Sequence, residues 1–341
     1  MAMSRMLRTL MIGALLWSPT MTYAQGVADR LAALEEEVAS LKAQVLGIEV
    51  LALTADCAAG GTLRDALLTA GRRPGFVVIT IVGVCNEAVQ VLRDNTLLRG
   101  GSPDAAVQWL TPDRAAVLWV RARHVTLESL TLRGGGPTAL RIGSGARVIV
   151  RNAQLFGGGA SSVAHTVFVD DGVVEFEGSL IADNPASAGV LAWMGSNVRL
   201  HSTTIRNTGG LALHFGATAF IRGDSRIANN TIGIDVTGGS RLSVQGVTIE
   251  NNVLSGISAS LGSSVSLRNA IVRGNGREGV LLHDTSVLRF LSGSGEITNN
   301  AGFGIRCIPA PAVAMISAGP FLSVGTVSGN GAGQIDCPIS Q

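Results

Sequence analysis

From Gly75 onward the chain repeats one pattern of apolar and polar positions. A β-branched residue recurs at Ile181, Ile205, Ile227, Ile249, Val272, Ile297 and Val327, at spacings of 24, 22, 22, 23, 25 and 30 residues. The last interval carries an insertion around Ile308–Phe321. Three residues after the anchor stands Asn184, Asn230, Asn252, Asn275, Asn300 or Asn330, with Thr208 as the departure. A glycine follows, at Gly189, Gly210, Gly233, Gly256, Gly279, Gly304 and Gly333, and opens an alternating stretch such as Ile234-Asp235-Val236-Thr237. A second alternating pair recurs as Val174/Phe176, Val198/Leu200, Leu242/Val244 and Val265/Leu267. Alternation with period two marks half-buried strands. Each repeat therefore reads as three short strands separated by turns.

One such coil cannot bury its apolar side chains alone. Stacking coils at ~4.8 Å pairs each strand with its counterpart above and below and closes a continuous core. Each residue then stacks on its equivalent. Asparagine is expected at a tight turn, where it tolerates positive φ and can hydrogen-bond to the next asparagine in the column. Glycine is expected where the backbone turns too sharply for a Cβ.

These runs resemble the right-handed parallel β-helix (pectin-lyase-like) repeat family, whose coils carry an aliphatic residue, an asparagine at a turn, then glycine and another aliphatic. The likeness covers about Gly75 to Cys337, roughly three quarters of the chain. Ile79-Thr80-Ile81-Val82-Gly83-Val84-Cys85-Asn86-Glu87 and Leu97-Leu98-Arg99-Gly100 are similar to the family's first coil, where the resemblance implies an N-terminal helix over the open end of the core.

The N-terminal quarter follows a different rhythm. Arg5 and Arg8 precede an apolar run from Leu10 to Trp17 and the small-residue pattern Thr22-Tyr23-Ala24, so residues 1–24 read as a secretory signal. The apolar core is too short for a membrane anchor. In residues 25–54, Leu31, Leu34, Val38, Leu41, Val45 and Ile48 are spaced 3, 4, 3, 4, 3, an a/d heptad seam with Glu35, Glu36, Glu37 and Lys42 outside it. It could join a homo-oligomer or cap the domain behind it. Residues 55–74 hold a short helix, Thr62 to Ala70, and residues 75–341 the solenoid.

Composition narrows the partners. The 341 residues are 46% hydrophobic, yet no apolar run approaches the ~20 residues of a membrane span. A charged fraction of 15% and a net charge of +2 exclude a disordered chain and an electrostatically driven nucleic-acid binder. Export permits disulfides. Cys57 and Cys85 bracket the short helix, and Cys307 and Cys337 occupy successive terminal coils, so two end clamps are expected. Metal-site cysteine spacing is lacking, and neither a metal nor a cofactor is expected.

Ligand chemistry belongs on outward columns. On the glycine-started strands these hold Trp119 and Arg121, Arg141, Phe168 and Asp170, Leu191 and Trp193, Ala212 and His214, Asp235 and Thr237, Ser258 and Ser260, then Leu281 and His283. Aromatic rings in line with polar groups suit an elongated sugar chain, so Trp119, Arg121, Arg141, Phe168, Asp170 and Trp193 are the candidate binding residues. The other reading is that these rings pack under loops or on one another. Another outward column, Glu128, Arg151, Glu177, His201, Gln245 and Arg268, reads as a structural charge ladder.

Catalytic signals are thin. Of the motifs found in polygalacturonase-like members, only Asp170-Asp171 occurs; the scattered outward acids do not support a pectate-lyase-like calcium site, and no pectin-methylesterase-like set is present. Lys42 is the only lysine and Tyr23 the only tyrosine. Acid–base candidates are therefore Asp170, Asp171, His214, Asp235, His283 and the arginines. The expected protein is all-β, an exported, right-handed parallel β-helix with an N-terminal α-helical segment, presenting its surface to a polysaccharide or cell-envelope partner without catalysis. A polysaccharide lyase, hydrolase or epimerase, and a multimeric structural spike, are the contrasting readings.

Overall fold

The computed structural model describes residues 49–71, 75–111, 113, 115–136, 138–157, 164–291, 295–308, 315–317, 326–337 and 339–340. Three parallel sheets run through it. We label them in the order the chain visits them within a coil: sheet A with 13 strands, sheet B with 11 and sheet C with 11. One coil is Thr218–Arg222 in sheet A, Arg226–Ala228 in sheet B and Ile234–Thr237 in sheet C, before Arg241–Gln245 returns to sheet A one level on. The anchor series is literal pairing. Ile181 pairs with Ile205, then Ile227, Ile249, Val272, Ile297 and Val327 in turn.

Inward residues of all three sheets form one buried cluster, from Ala55 to Cys307. In sheet C the phase is Ile234 and Val236 inward, Asp235 and Thr237 outward. Stacked aliphatics continue the core from coil to coil, so burial supplies the cohesion that no single coil could.

The asparagine column is a buried ladder. Asn252, Asn275 and Asn300 each donate their side-chain Nδ2 to the Oδ1 of the next asparagine, at 2.8, 2.8 and 2.9 Å, ending on Asn330. Their backbone N–H groups donate to the same oxygens at 3.1, 3.1 and 3.0 Å. Thr208 serves as the first rung, giving its hydroxyl to Asn230 Oδ1 at 2.9 Å and accepting from Gly210 N–H at 3.0 Å. Asn184 leaves the column and donates instead to Ala164 O at 2.7 Å.

Two expectations about these corners are corrected. Positive φ falls not on the ladder residue but on the one before it: Asp183, Asn207, Asn229, Asn251, Gly274, Asn299 and Gly329. That explains the Asn-Asn doublets. The first asparagine turns the chain and the second turns inward to bond. Of the recurring glycines, Gly210 and Gly333 hold positive φ, at 105° and 150°, whereas Gly233, Gly256, Gly279 and Gly304 do not. A Cβ on Gly256 would lie 2.6 Å from Val272 Cγ1 and 2.8 Å from Asn275 Nδ2, so the requirement is space beside the next coil.

The helix spans Leu63–Ala70. Thr62 Oγ1 accepts from Asp65 N at 3.0 Å, and the Glu87 carboxylate accepts from Leu63 and Arg64 N–H at 2.6 and 3.2 Å, which satisfies its first orphan donors. Leu63, Ala66 and Ala70 join the core. The assigned boundary at residue 75 does not hold. Val50–Asp56 is already the first strand of sheet A, and residues 50–54 of the assigned heptad helix belong to it. Leu51, Leu53 and Ala55 alternate with period two and pack on the core, a pattern that wins over the heptad spacing once it ends. The heptad positions Leu31–Ile48 and the signal sequence lie outside the described residues. So does any oligomer the heptad would form. None of the described helices is long and apolar enough to cross a membrane.

Both clamps form. Cys57–Cys85 and Cys307–Cys337 have Cα separations of 5.2 and 4.9 Å and close loops of 28 and 30 residues. Each contributes about 3 kcal/mol on a chain-entropy model, at the coils that have only one neighbour.

Candidate functional site

The outer face of sheet C carries two columns. In the first, register pairing links Trp119, Arg141, Phe168, Leu191, Ala212 and Asp235 on successive coils. The second runs two residues later along each strand and includes Asp170 beside Trp193, then His214 beside Thr237. Strand phase fixes this placement, because Val167 and Val169 bury and so turn Phe168 and Asp170 out.

At one end the side chains stack on each other. The Arg141 guanidinium carbon lies 4.9 Å from the Trp119 ring centre and 5.2 Å from that of Phe168, while Arg121 approaches Trp119 at 5.2 Å. Each such contact is worth about 0.5–2 kcal/mol according to its exposure. Trp119 Nε1 and Arg141 Nε are buried there without an acceptor. This end is therefore rich in hydrogen-bond donors and positive charge, with two half-buried rings.

Further along, Trp193 is half-buried, meets Phe215 edge-on at 4.5 Å between ring centres, and lies 5.6 Å from the His214 ring. His214 Nε2 stands 3.4 Å from Asp235 Oδ2, and both side chains remain about a third exposed, 26% and 34%. The pair is diagonal, one coil on and two residues back, and Ala212 beside Asp235 leaves the imidazole room to lean across. Next to this pair, His165 Nδ1 and Ser187 Oγ share a hydrogen bond at 2.6 Å. Burial first, and then the neighbouring His214, lower the His165 pKa below the ordinary imidazole value, so its ring is neutral at pH 7. Asp235 approaches His214 Nε2 without a hydrogen bond between them, and the neutral His165 lies nearby, so the cluster brings a carboxylate and two imidazoles, groups able to carry protons, to one stretch of this face.

Comparison with known proteins bears on the fold that carries these residues. Residues 209–310 match the family model described as a right handed beta helix region. The chain is a right-handed parallel β-helix. Among solved structures, the β-helix superposes on tailspike protein 2 of Escherichia coli O157:H7 bacteriophage CAB120 with a TM-score of 0.52 at 11% identity, over 71% of this chain. The match takes in 38% of the tailspike's length, so the β-helix spans well under half of that protein. It superposes on a double mutant of the periplasmic alginate epimerase AlgG with a TM-score of 0.52 at 13% identity, over 79% of this chain and 73% of that one. At these identities the likeness is one of fold. No curated protein sequence matches the chain.

The β-helix separates some residues that the sequence grouped together. Asp170 and His214 stand two coils apart with Trp193 between them, as the repeat spacing in the sequence predicts, and the carboxylate 3.4 Å from His214 Nε2 is that of Asp235. Asp171 turns at a corner with φ 50° and accepts from Ser144 Oγ at 2.7 Å. His283 lies three coils from His214, roughly 15 Å at the strand spacing, and takes no part in the cluster. The sequence reading passed over Phe215, Met194 and Leu261, which are exposed at 53%, 57% and 60% and hold positive φ at the corner after sheet C. Bulky apolar residues rarely adopt that conformation. Their signal was present: each stands directly before a glycine, Met194 and Phe215 directly after the last outward residue of the strand and Leu261 two residues after its strand ends.

Proposed function

We propose that this β-helix is exported and binds an elongated glycan along the sheet C face, from Arg121 and Trp119 through Phe168 to Trp193 and His214. The observation that carries the reading is Trp193, half-buried, flanked by Phe215, and in register with Asp170 across one coil. A sugar ring laid on an indole gains apolar contact while its hydroxyls reach the neighbouring carboxylate. Columns along the solenoid repeat at ~4.8 Å, so the face is long and narrow, as a chain-like ligand requires. That an alginate epimerase shares the fold supports a glycan as the ligand.

Trp193→Ala is expected to weaken binding at least tenfold, about 1.4 kcal/mol, in affinity electrophoresis against a panel of polysaccharides that includes alginate. Because the ring lies off the core, the thermal midpoint should move little. Unchanged retention of the variant, or no retention of the wild type by any polysaccharide, would sink the reading.

The His214–Asp235 pair favours a second reading, a carbohydrate-active enzyme. Product formation by the wild type that disappears in His214→Ala, with retention in the gel preserved, would establish it. Binding without product leaves a non-catalytic surface.

A further inference from the structure

The charge ladder expected on sheet A holds only in its first coils, where Arg151 Nε meets Glu177 Oε2 at 2.8 Å. Beyond Glu177 the face changes character. The next five strands, Asn197–His201, Thr218–Arg222, Arg241–Gln245, Ser264–Arg268 and Val287–Phe290, contain no aspartate or glutamate. Each contributes one outward arginine: Arg199, Arg222, Arg241, Arg268 and Arg289. None of the five forms an ion pair among the described residues, and all but Arg268 are exposed. The surrounding carboxylates are Glu175 and Glu177 on the preceding coil, Asp224 and Asp284 at the corners. Glu175 is the register neighbour of Arg199.

Five guanidinium groups without an ion pair, only Arg199 having a carboxylate beside it in register, concentrate positive potential on one face of a chain of net charge +2. They are strung over five coils, roughly 19 Å at the strand spacing. Between them stand hydroxyl and amide groups, Ser243, Ser266 and Gln245, at outward positions of the same register. Two outward rings stand here, Phe220, which already lies under Arg222 at 5.9 Å, and His201 on the first of these strands, so a run of stacked bases has no continuous platform. Bulky apolar groups at these outward positions are confined to Val287 and to Phe220, which Arg222 covers, too few for insertion into a lipid surface.

We infer that this face of sheet A is a second binding surface, separate from the sheet C stripe, for an anionic polysaccharide. The arginines meet its sulfate or carboxylate groups, and the hydroxyl and amide side chains meet its hydroxyls.

The test uses heparin and dextran sulfate as probes, with neutral dextran, single-stranded DNA and anionic phospholipid vesicles alongside. The wild type is expected to bind the sulfated glycans, with an affinity that falls steeply with salt, and to ignore neutral dextran. Arg222→Gln/Arg241→Gln/Arg268→Gln should weaken that binding at least tenfold and flatten the salt dependence. The matching triple lysine variant, which keeps the charge, should recover most of it. Arg277→Gln, which removes an exposed arginine outside both sheet faces, should leave it unchanged, which separates a specific surface from net charge alone. Equal binding by the triple glutamine variant would overturn the inference, as would tighter binding to DNA or to the vesicles than to the sulfated glycans.

Discussion

Ile234→Asp is expected to abolish the cooperative unfolding transition, while Asp235→Ala, one residue away, shifts the thermal midpoint only slightly. Ile234 is fully buried and stacks between Leu211 and Ile257. Aspartate there would lose about 2 kcal/mol of apolar burial and would add a carboxylate with no partner, at several kcal/mol more. Against a typical total of 5–15 kcal/mol, that is enough to open the middle of the stack. Asp235 faces outward with its half-exposed partner His214, and an exposed pair of this kind is worth at most about 1 kcal/mol. Circular dichroism melts of the two variants would decide the matter. Equally mild effects would mean that the strand phase, and with it every outward column described above, is misassigned.

Asn275→Leu should be nearly as damaging, although leucine matches the apolar surroundings. Asn275 Oδ1 accepts from both the side chain and the backbone N–H of Asn252, and its own Nδ2 and N–H serve Asn300 Oδ1. Leucine keeps only its own backbone N–H donation and strands two buried donors of Asn252 at about 1–3 kcal/mol each. The expected loss is about 3–5 kcal/mol, read as a drop in denaturant midpoint. Asn275→Thr should cost less, because Thr208 already shows how a hydroxyl ends the ladder. A leucine variant as stable as the wild type would show that the ladder merely accompanies the stacking.

Much of the fold was legible because equivalent residues of successive coils touch. A repeated anchor, a repeated asparagine and a repeated glycine in the sequence are contacts in space, so self-comparison yields strand register directly. Where a coil departs from its neighbours the reading failed. Val50–Asp56 precedes the first clear repeat, and its alternation was absorbed into the heptad before it. Glycine's role was misjudged because the obstacle to a Cβ at Gly256 belongs to the following coil. At the candidate site, the outward sets were visible from alternation alone. The His214–Asp235 contact was not, because a diagonal reach depends on the size of Ala212 between them. Phe215 escaped since alternation ends with the strand, whereas the backbone carries the ring round the corner beside Trp193.

In-register stacking also makes length an adjustable quantity. Thr248 pairs with Ile271 and Ile249 with Val272, so excising residues 248–270 would bring Ile271 to the place of Thr248 and set Asn275 against Asn230. All three sheets would rejoin in phase, one level shorter, whereas a cut of a few residues more or fewer would put every column out of step. Gene segments of this size can thus be duplicated or dropped as whole graduations of a ruler, each changing the reach of both outer faces by ~4.8 Å.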